Sequence, residues 1–401
     1  MMMQETKEKK AKVSSPSREV WRTQMAKGIY TPHRVSRITC IINHLLKDKI
    51  SSFLRELGVI AYIEPGRTVR EFLKPQPFGL PGNVVSLQNS PVDIFRFTVP
   101  RETSRQVVEK IVRITDLHIP GRGTVFSQDL MEFSKEPFDI NPAALDNGAN
   151  DHSAQNIVKK LSYVICVLSV PGSGENLARI ALDLGICVPL VTFATGNDIR
   201  DQLGLIRITI SPEKEIVHLV MPEQDSDSII KLLIEQARLD RPGRGYIYQT
   251  PVSMGLLDTR LKTGKQRYAA SMEQIIAAID SLKAGTSWRK RLDAEGAGQA
   301  QGSTLLPQDN CEISIISDED RIEKLREACL EVGATGATTS RITPEVTDAE
   351  VSSTMIRSAI SVPAGLTNDV VDALLEVSTI KEDNTDRIQV LDSPAAYVHD
   401  L

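Results

Sequence analysis

Two short stretches of this chain carry the residue types best suited to hold an anion. Leu117 to Gln128 reads LHIPGRGTVFSQ, and Asp240 to Thr250 reads DRPGRGYIYQT. Each contains Pro-Gly-Arg-Gly. Glycine tolerates positive φ, so Gly121-Arg122-Gly123 and Gly243-Arg244-Gly245 can each turn successive backbone N–H groups into one concavity. Such a concavity takes phosphate oxygens, and the arginine between the glycines can grip a phosphate through two donors. Arg260 and Lys262, in RLKTG, follow the second apolar run and add positive charge. A glycine turn between a helix and a strand also forms without any ligand, and arginines in turns are ordinarily solvated. Both readings stand at this point.

Other chemistry is harder to find. The six histidines (His33, His44, His118, His152, His218, His399) form no HxH or HExxH pattern. His218 falls in an apolar run and reads as structural; His118 precedes the first glycine turn and can reach a ligand there. The five cysteines (Cys40, Cys166, Cys187, Cys311, Cys329) form no CxxC pair and read as small buried hydrophobes. No set of nucleophile and base emerges, so no enzyme is expected.

The segments around the turns repeat. ITCIINHLLKDKISSFLRELG, VICVLSVPGSGENLARIALDLG and CEISIISDEDRIEKLREACLEVG each read as a strand and an amphipathic helix stopped by glycine, with 20, 21 and 22 positions from the strand start to Gly58, Gly185 and Gly333. A second strand, proline and helix follow at Pro100, Pro222 and Pro363; Gly121 and Gly243 each lie 21 residues after their proline. The third copy reads KEDNTDRIQV where the turn belongs. Each copy is thus β-α-β, connection, β-α-β. The expected fold class is α+β, three ferredoxin-like (split βαβ) domains with bare sheet faces that bury one another as an intramolecular pseudo-trimer. The boundaries are a disordered tail over 1–34, domains over 35–133, 161–264 and 309–401, a linker over 134–160, and a helical and flexible linker over 265–308. The last contains Met272, Ile275, Ile276, Ile279 and Leu282 on one helical face. The Pro- and Gly-rich connection in the first copy, EPGRTVREFLKPQPFGLPGNVVSLQNSPVD, reads as a mobile surface arm.

Composition narrows the partners. The 401 residues carry a net charge of −5 and only 4% aromatics, which argues against nucleic acid and base stacking. The longest apolar run, Leu161 to Val170, is too short to span a bilayer as a helix, so no membrane insertion is expected. The polar, basic N-terminus has no signal-peptide core and points to a cytoplasmic protein.

The repeated unit resembles the nitrogen regulatory protein P-II and P-II-like superfamily. EVGATGATTS, from Glu331 to Ser340, is similar to that family's segment between first helix and second strand. PGRGTVF and PGRGYIY resemble its glycine-rich loop, and RLKTG its C-terminal Arg-x-Arg-Thr-Gly. The resemblance covers three copies, and it departs where the family's loop lysine is Thr124 or Tyr246. It implies a signal-transduction protein that binds adenine nucleotide (ATP, ADP or AMP) in inter-domain clefts. The phosphates would lie at Gly121, Arg122, Gly123, Gly243, Arg244, Gly245, Arg260 and Lys262, and the adenine at Thr338. The arm would then control a target protein or transporter, in nitrogen or inorganic-carbon metabolism. Mg and 2-oxoglutarate belong to the same family pattern, although its arm glutamine is not evident here. Gly66-Arg67 is similar to the Gly-Arg at the family's arm base. Two other classes stay open: a degenerate trimeric scaffold that no longer binds nucleotide, and a metal-binding ferredoxin-like module.

Overall fold

Helix faces set the first layer. Ile50, Phe53, Leu54 and Leu57 fall on one side of α1 (Lys47–Leu57) and are all buried, at the spacing a helix needs to pack one stripe against a sheet. The helix stops at Gly58, whose φ of 78° lets its N–H return to the carbonyl of Leu54. A buried stripe recurs in α2 (Ser104–Thr115), α3 (Ser173–Asp183), α4 (Glu223–Ala237), α5 (Ile322–Glu331) and α6 (Thr367–Val377). Each full burial of a Leu, Ile, Val or Phe side chain contributes about 1.5–3 kcal/mol. The structure, a computed structural model, describes residues 32–75, 83–119, 121–135, 140–145, 157–198, 213–258, 309–345, 354–380 and 386–398.

The helices cover one face of a single antiparallel sheet of 13 strands among the described residues. In chain order these are β1 (His33–Asn43), β2 (Ala61–Pro75), β3 (Asn83–Pro100), β4 (Gly123–Phe133), β5 (Val158–Leu168), β6 (Leu190–Asp198), β7 (Glu213–Pro222), β8 (Gly245–Leu256), β9 (Asn310–Asp318), β10 (Gly336–Glu345), β11 (Met355–Pro363), β12 (Arg387–Ser393) and β13 (Ala395–Val398). The neighbour order is β10-β11-β9-β12-β4-β1-β3-β2-β6-β7-β5-β8-β13.

This corrects the expected fold class. Hydrogen bonding does not stop where one repeat ends. β2 continues into β6 through Arg67↔Val191, β10 pairs with both β2 and β6, and β4 pairs with both β12 and β8. The path β4-β1-β3-β2-β6-β7-β5-β8 returns to β4, and so does the path β4-β1-β3-β2-β10-β11-β9-β12, so the sheet closes on itself through strands of all three repeats. The protein is a mostly-β closed antiparallel barrel with few helices, not three split βαβ ferredoxin-like domains packed as a pseudo-trimer. The physical reason is the sheet edge. An isolated unit would leave rows of N–H and C=O groups unpaired, and closure pairs them with edges far away in sequence. Periodicity locates strands but is silent about such partners.

The barrel wall separates two kinds of interior. Outside it, under the helices, lie three apolar clusters centred on residues such as Ile42 and Phe97, Cys166 and Leu219, and Ile313 and Leu374. Inside it, apolar residues including Phe126, Tyr163 and Tyr248 share the space with buried charges. Arg37 donates to Glu312 at 3.0 Å, Gln128 at 3.1 Å and Gln389 at 3.3 Å. Arg387 pairs with Glu132 at 2.9 Å, and Arg96 pairs with Glu64. These contacts join β1 to β9 and β12, and β4 to β12, so the ion pairs tie together strands that the sequence holds far apart.

The arm is a β-ribbon. β2 and β3 pair continuously from Tyr62↔Arg96 to Pro75↔Asn83. Its base is built into the wall: Gly66 has room only for hydrogen, because a Cβ there would lie 2.9 Å from Leu190 Cδ1, and Val69 is fully buried against the α3–α4 cluster. The ribbon's turn, like the apolar stripe at Met272–Leu282, lies outside the described residues.

Candidate functional site

The two glycine turns are built alike, bond for bond. α2 and α4 end in left-handed residues, Asp116 (φ 51°) and Arg238 (φ 53°). Leu117 and Leu239 donate back to Val112 and Ile234 at 3.1 and 2.9 Å, and Ile119 and Arg241 to Asp116 and Arg238 at 2.9 and 3.1 Å. The carbonyls of Arg122 and Arg244 accept from Asn43 and Ser169, each at 3.0 Å. Gly121 and Gly243 have φ of 89° and 71°. Gly123 and Gly245 press on the neighbouring strand so closely that a Cβ would sit 2.0 Å from the carbonyl oxygen of Ile41 and 1.9 Å from that of Val167. A shared turn between helix and strand therefore accounts for the second glycine of each motif without any ligand.

The turns differ in what fills them. At the first, the N–H of Gly121 donates to Asp258 Oδ1 at 2.9 Å, and Asp258 is also paired with Arg70. The N–H of Asp258 donates to Thr124 Oγ1 at 2.9 Å, locking the carboxylate in place. Arg122 turns away to the Thr115 carbonyl at 3.0 Å and Asp116 at 2.8 Å. The chain thus places its own carboxylate where an external anion would lie. Beside it is a cavity of only about 20 Å³, lined by Gly123, Thr124, Tyr163, His218 and Asp258 among others. That is room for one water and not for a nucleotide.

At the second turn no carboxylate intervenes among the described residues. Neither the N–H of Gly243 nor the guanidinium of Arg244 has a partner among the described residues, and both residues are half-buried. Thr338, 7% exposed on β10, meets the side chain that follows this turn: its Oγ1 is 2.5 Å from Oη of Tyr246, the residue after Gly245. The Tyr246 side chain thus links Thr338 to the strand that leaves the Gly243–Gly245 turn, while the Gly121–Gly123 turn lies against β1. Arg260 and Lys262 lie outside the described residues. Gly66 and Arg67 sit on the β2–β6 junction, where Arg67 lies over the Phe193 ring at 5.3 Å and near Glu175 at 3.8 Å.

Both ring nitrogens of His218 are engaged, Nδ1 with Tyr163 Oη and Nε2 with Thr192 Oγ1, each at 2.8 Å. Burial first, and then the positive charges of Arg96 and Arg357, hold its pKa well below the ordinary histidine value. The imidazole is neutral, donating from one nitrogen and accepting at the other. Burial also pushes up the Tyr163 phenol, against the pull of Arg96 and Arg357. Burial alone would raise Glu312, but Arg37 and Arg357 overcome it and hold the carboxyl below its usual range.

No protein-family model matches this chain, and no curated protein matches it. The site must be read from its own chemistry.

Sequence reasoning missed the residues that decide the first turn. Asp258 and Arg70 lie 188 positions apart in the chain, and no motif links them. It also missed the inward charges Arg37, Arg96, Glu64, Glu132, Glu312 and Arg387. They alternate with apolar residues, as residues facing water do, and only barrel closure turns that face inward. The five cysteines are buried and form no disulfide among the described residues, as expected of small hydrophobes.

Proposed function

We infer that this protein is a regulatory binding protein, not an enzyme, that takes the phosphate groups of an adenine nucleotide at the turn Gly243-Arg244-Gly245. Its Thr338 side would approach the base, and the β2–β3 ribbon would contact the regulated target protein or transporter. One observation carries the reading: among the described residues the second turn offers an N–H and a guanidinium without a partner, whereas the twin turn with the same hydrogen bonds is filled by Asp258. The reading rests on that turn and on the motif resemblance, not on the fold expectation, which the barrel overturns. Binding would shift the ribbon only if the nucleotide favours one of its conformations over another. Mg and 2-oxoglutarate are not needed for this reading.

Titration calorimetry of the full chain with ATP, ADP, AMP and cyclic AMP tests it. The expected result is one nucleotide per chain, since of the two glycine turns only the second is unfilled among the described residues, and a loss of about tenfold or more in affinity on Arg244→Ala, the size of one charge-assisted phosphate contact. Two equivalents per chain would contradict the role given to Asp258.

The self-filled first turn supports a second reading, a scaffold that has lost nucleotide binding; no heat with any of the four nucleotides favours it. The metal-binding reading lacks support among the described residues, which contain no group of three or more His, Cys, Asp or Glu side chains placed to hold an ion.

A further inference from the structure

A groove of about 480 Å³ opens where the end of α2, the start of β5 and the end of β8 meet. It is separate from the Gly243 turn. Its floor is apolar: Leu161 and Leu256 line it and are nearly fully buried. Its exposed rim carries His118, Lys159 and Lys160, and no carboxylate is among its described lining residues. None of those three side chains has a hydrogen-bond or ion-pair partner among the described residues. Lys160 is held at φ 59°, and the pairing of β5 with β8 skips it, passing from Lys159↔Met254 to Leu161↔Val252. A non-glycine residue in this left-handed region is strained, and such strain persists where the surroundings impose it, often at binding sites.

We propose that this groove binds a small organic anion with an apolar body, a medium-chain carboxylate. The volume falls within the range of about 300–1,000 Å³ typical of small-molecule sites. The floor takes hydrocarbon, and the two ammonium groups and the imidazole face the head group. A purely apolar ligand would leave the lysines without a partner, and inorganic phosphate would leave the floor empty.

The test titrates the full chain with decanoate, decanol and inorganic phosphate, below the concentrations at which decanoate forms micelles. Decanoate binds once per chain, decanol about tenfold or more weaker for want of the charge-assisted contacts, and phosphate does not compete. The double variant Lys159→Ala/Lys160→Gly loses decanoate binding by a similar factor. Its melting temperature is unchanged or higher, because glycine accepts the positive φ without strain. Val158→Trp, at the exposed edge of the groove, blocks decanoate by filling it. Arg244→Ala leaves decanoate binding intact, which separates this site from the nucleotide reading. The proposal is overturned if decanoate fails to bind, if decanol or phosphate matches it, or if the folded double variant binds as well as the parent.

Discussion

The carboxylate of Asp258 accepts the backbone N–H of Gly121 at 2.9 Å while pairing with Arg70, so one side chain caps a turn and ties β8 to β2. Asp258→Ala removes the acceptor of the Gly121 N–H and strands a buried guanidinium. Breaking a buried pair from one side costs about 3–5 kcal/mol. Asp258→Asn keeps an acceptor for Gly121 and loses only the charge, so its loss is smaller. Urea denaturation of the three proteins measures this order. Equal stability of the alanine variant and the parent would show that the contact contributes nothing.

Gly123→Ala and Gly245→Ala each drive a methyl carbon to about the position of a neighbouring carbonyl oxygen, 2.0 Å from Ile41 O and 1.9 Å from Val167 O, at positive φ. Either variant is expected to lose more than about 2 kcal/mol, above the roughly 1–2 kcal/mol of left-handed strain alone. Gly58→Ala is the control: its φ is 78° but nothing lies within 4 Å of the added atom. The comparison separates steric contact from backbone strain. A Gly58 variant as damaged as the other two would refute the steric account.

Stability depends on pH through His218. Its folded pKa is lowered, so the unfolded chain binds the proton more tightly than the folded one. The contribution is therefore complete above the ordinary histidine value of 6.5 and is lost as pH falls from there toward the folded pKa. Glu312 acts at lower pH. Its folded pKa is also lowered, so its contribution is present above 4.5 and is lost as pH falls through the folded value. Urea midpoints should be flat from about pH 8 to 7 and decline below about 6.5, by at most about 1.4 kcal/mol per pH unit for one proton. His218→Gln, which keeps a donor and an acceptor for Tyr163 and Thr192, should flatten the upper part of that decline. A variant with the parent's pH profile would assign the slope to another group.

Arg37 and Glu312 are buried partners 3.0 Å apart on strands 275 positions distant in the chain. Removing Glu312 should cost about 3–5 kcal/mol, because the buried Arg37 loses its carboxylate; removing Arg37 should cost less, because Arg357 still lies 3.7 Å from Glu312. Arg37→Met combined with Glu312→Gln should cost less than the sum of the single changes, with a coupling of about 0.5–3 kcal/mol. Additive losses would mean that the pair does not interact in the folded protein.

The sequence by itself determined the local plan. Apolar periodicity and the glycines at 58, 121, 185, 243 and 333 located helices, helix ends and turns, because those features depend on residues a few positions apart. It also marked the repeated Pro-Gly-Arg-Gly motif and the burial of the cysteines. Only the tertiary structure decided that the strands of all three repeats close one barrel, through pairs such as Arg67↔Val191 and Thr338↔Gly196. Only it decided that Asp258 fills the first turn, and that Glu312 faces inward. Those outcomes turn on pairings between edges and charges far apart in the chain. Their energies exist only once the backbone has brought them together, and no short-range pattern encodes them.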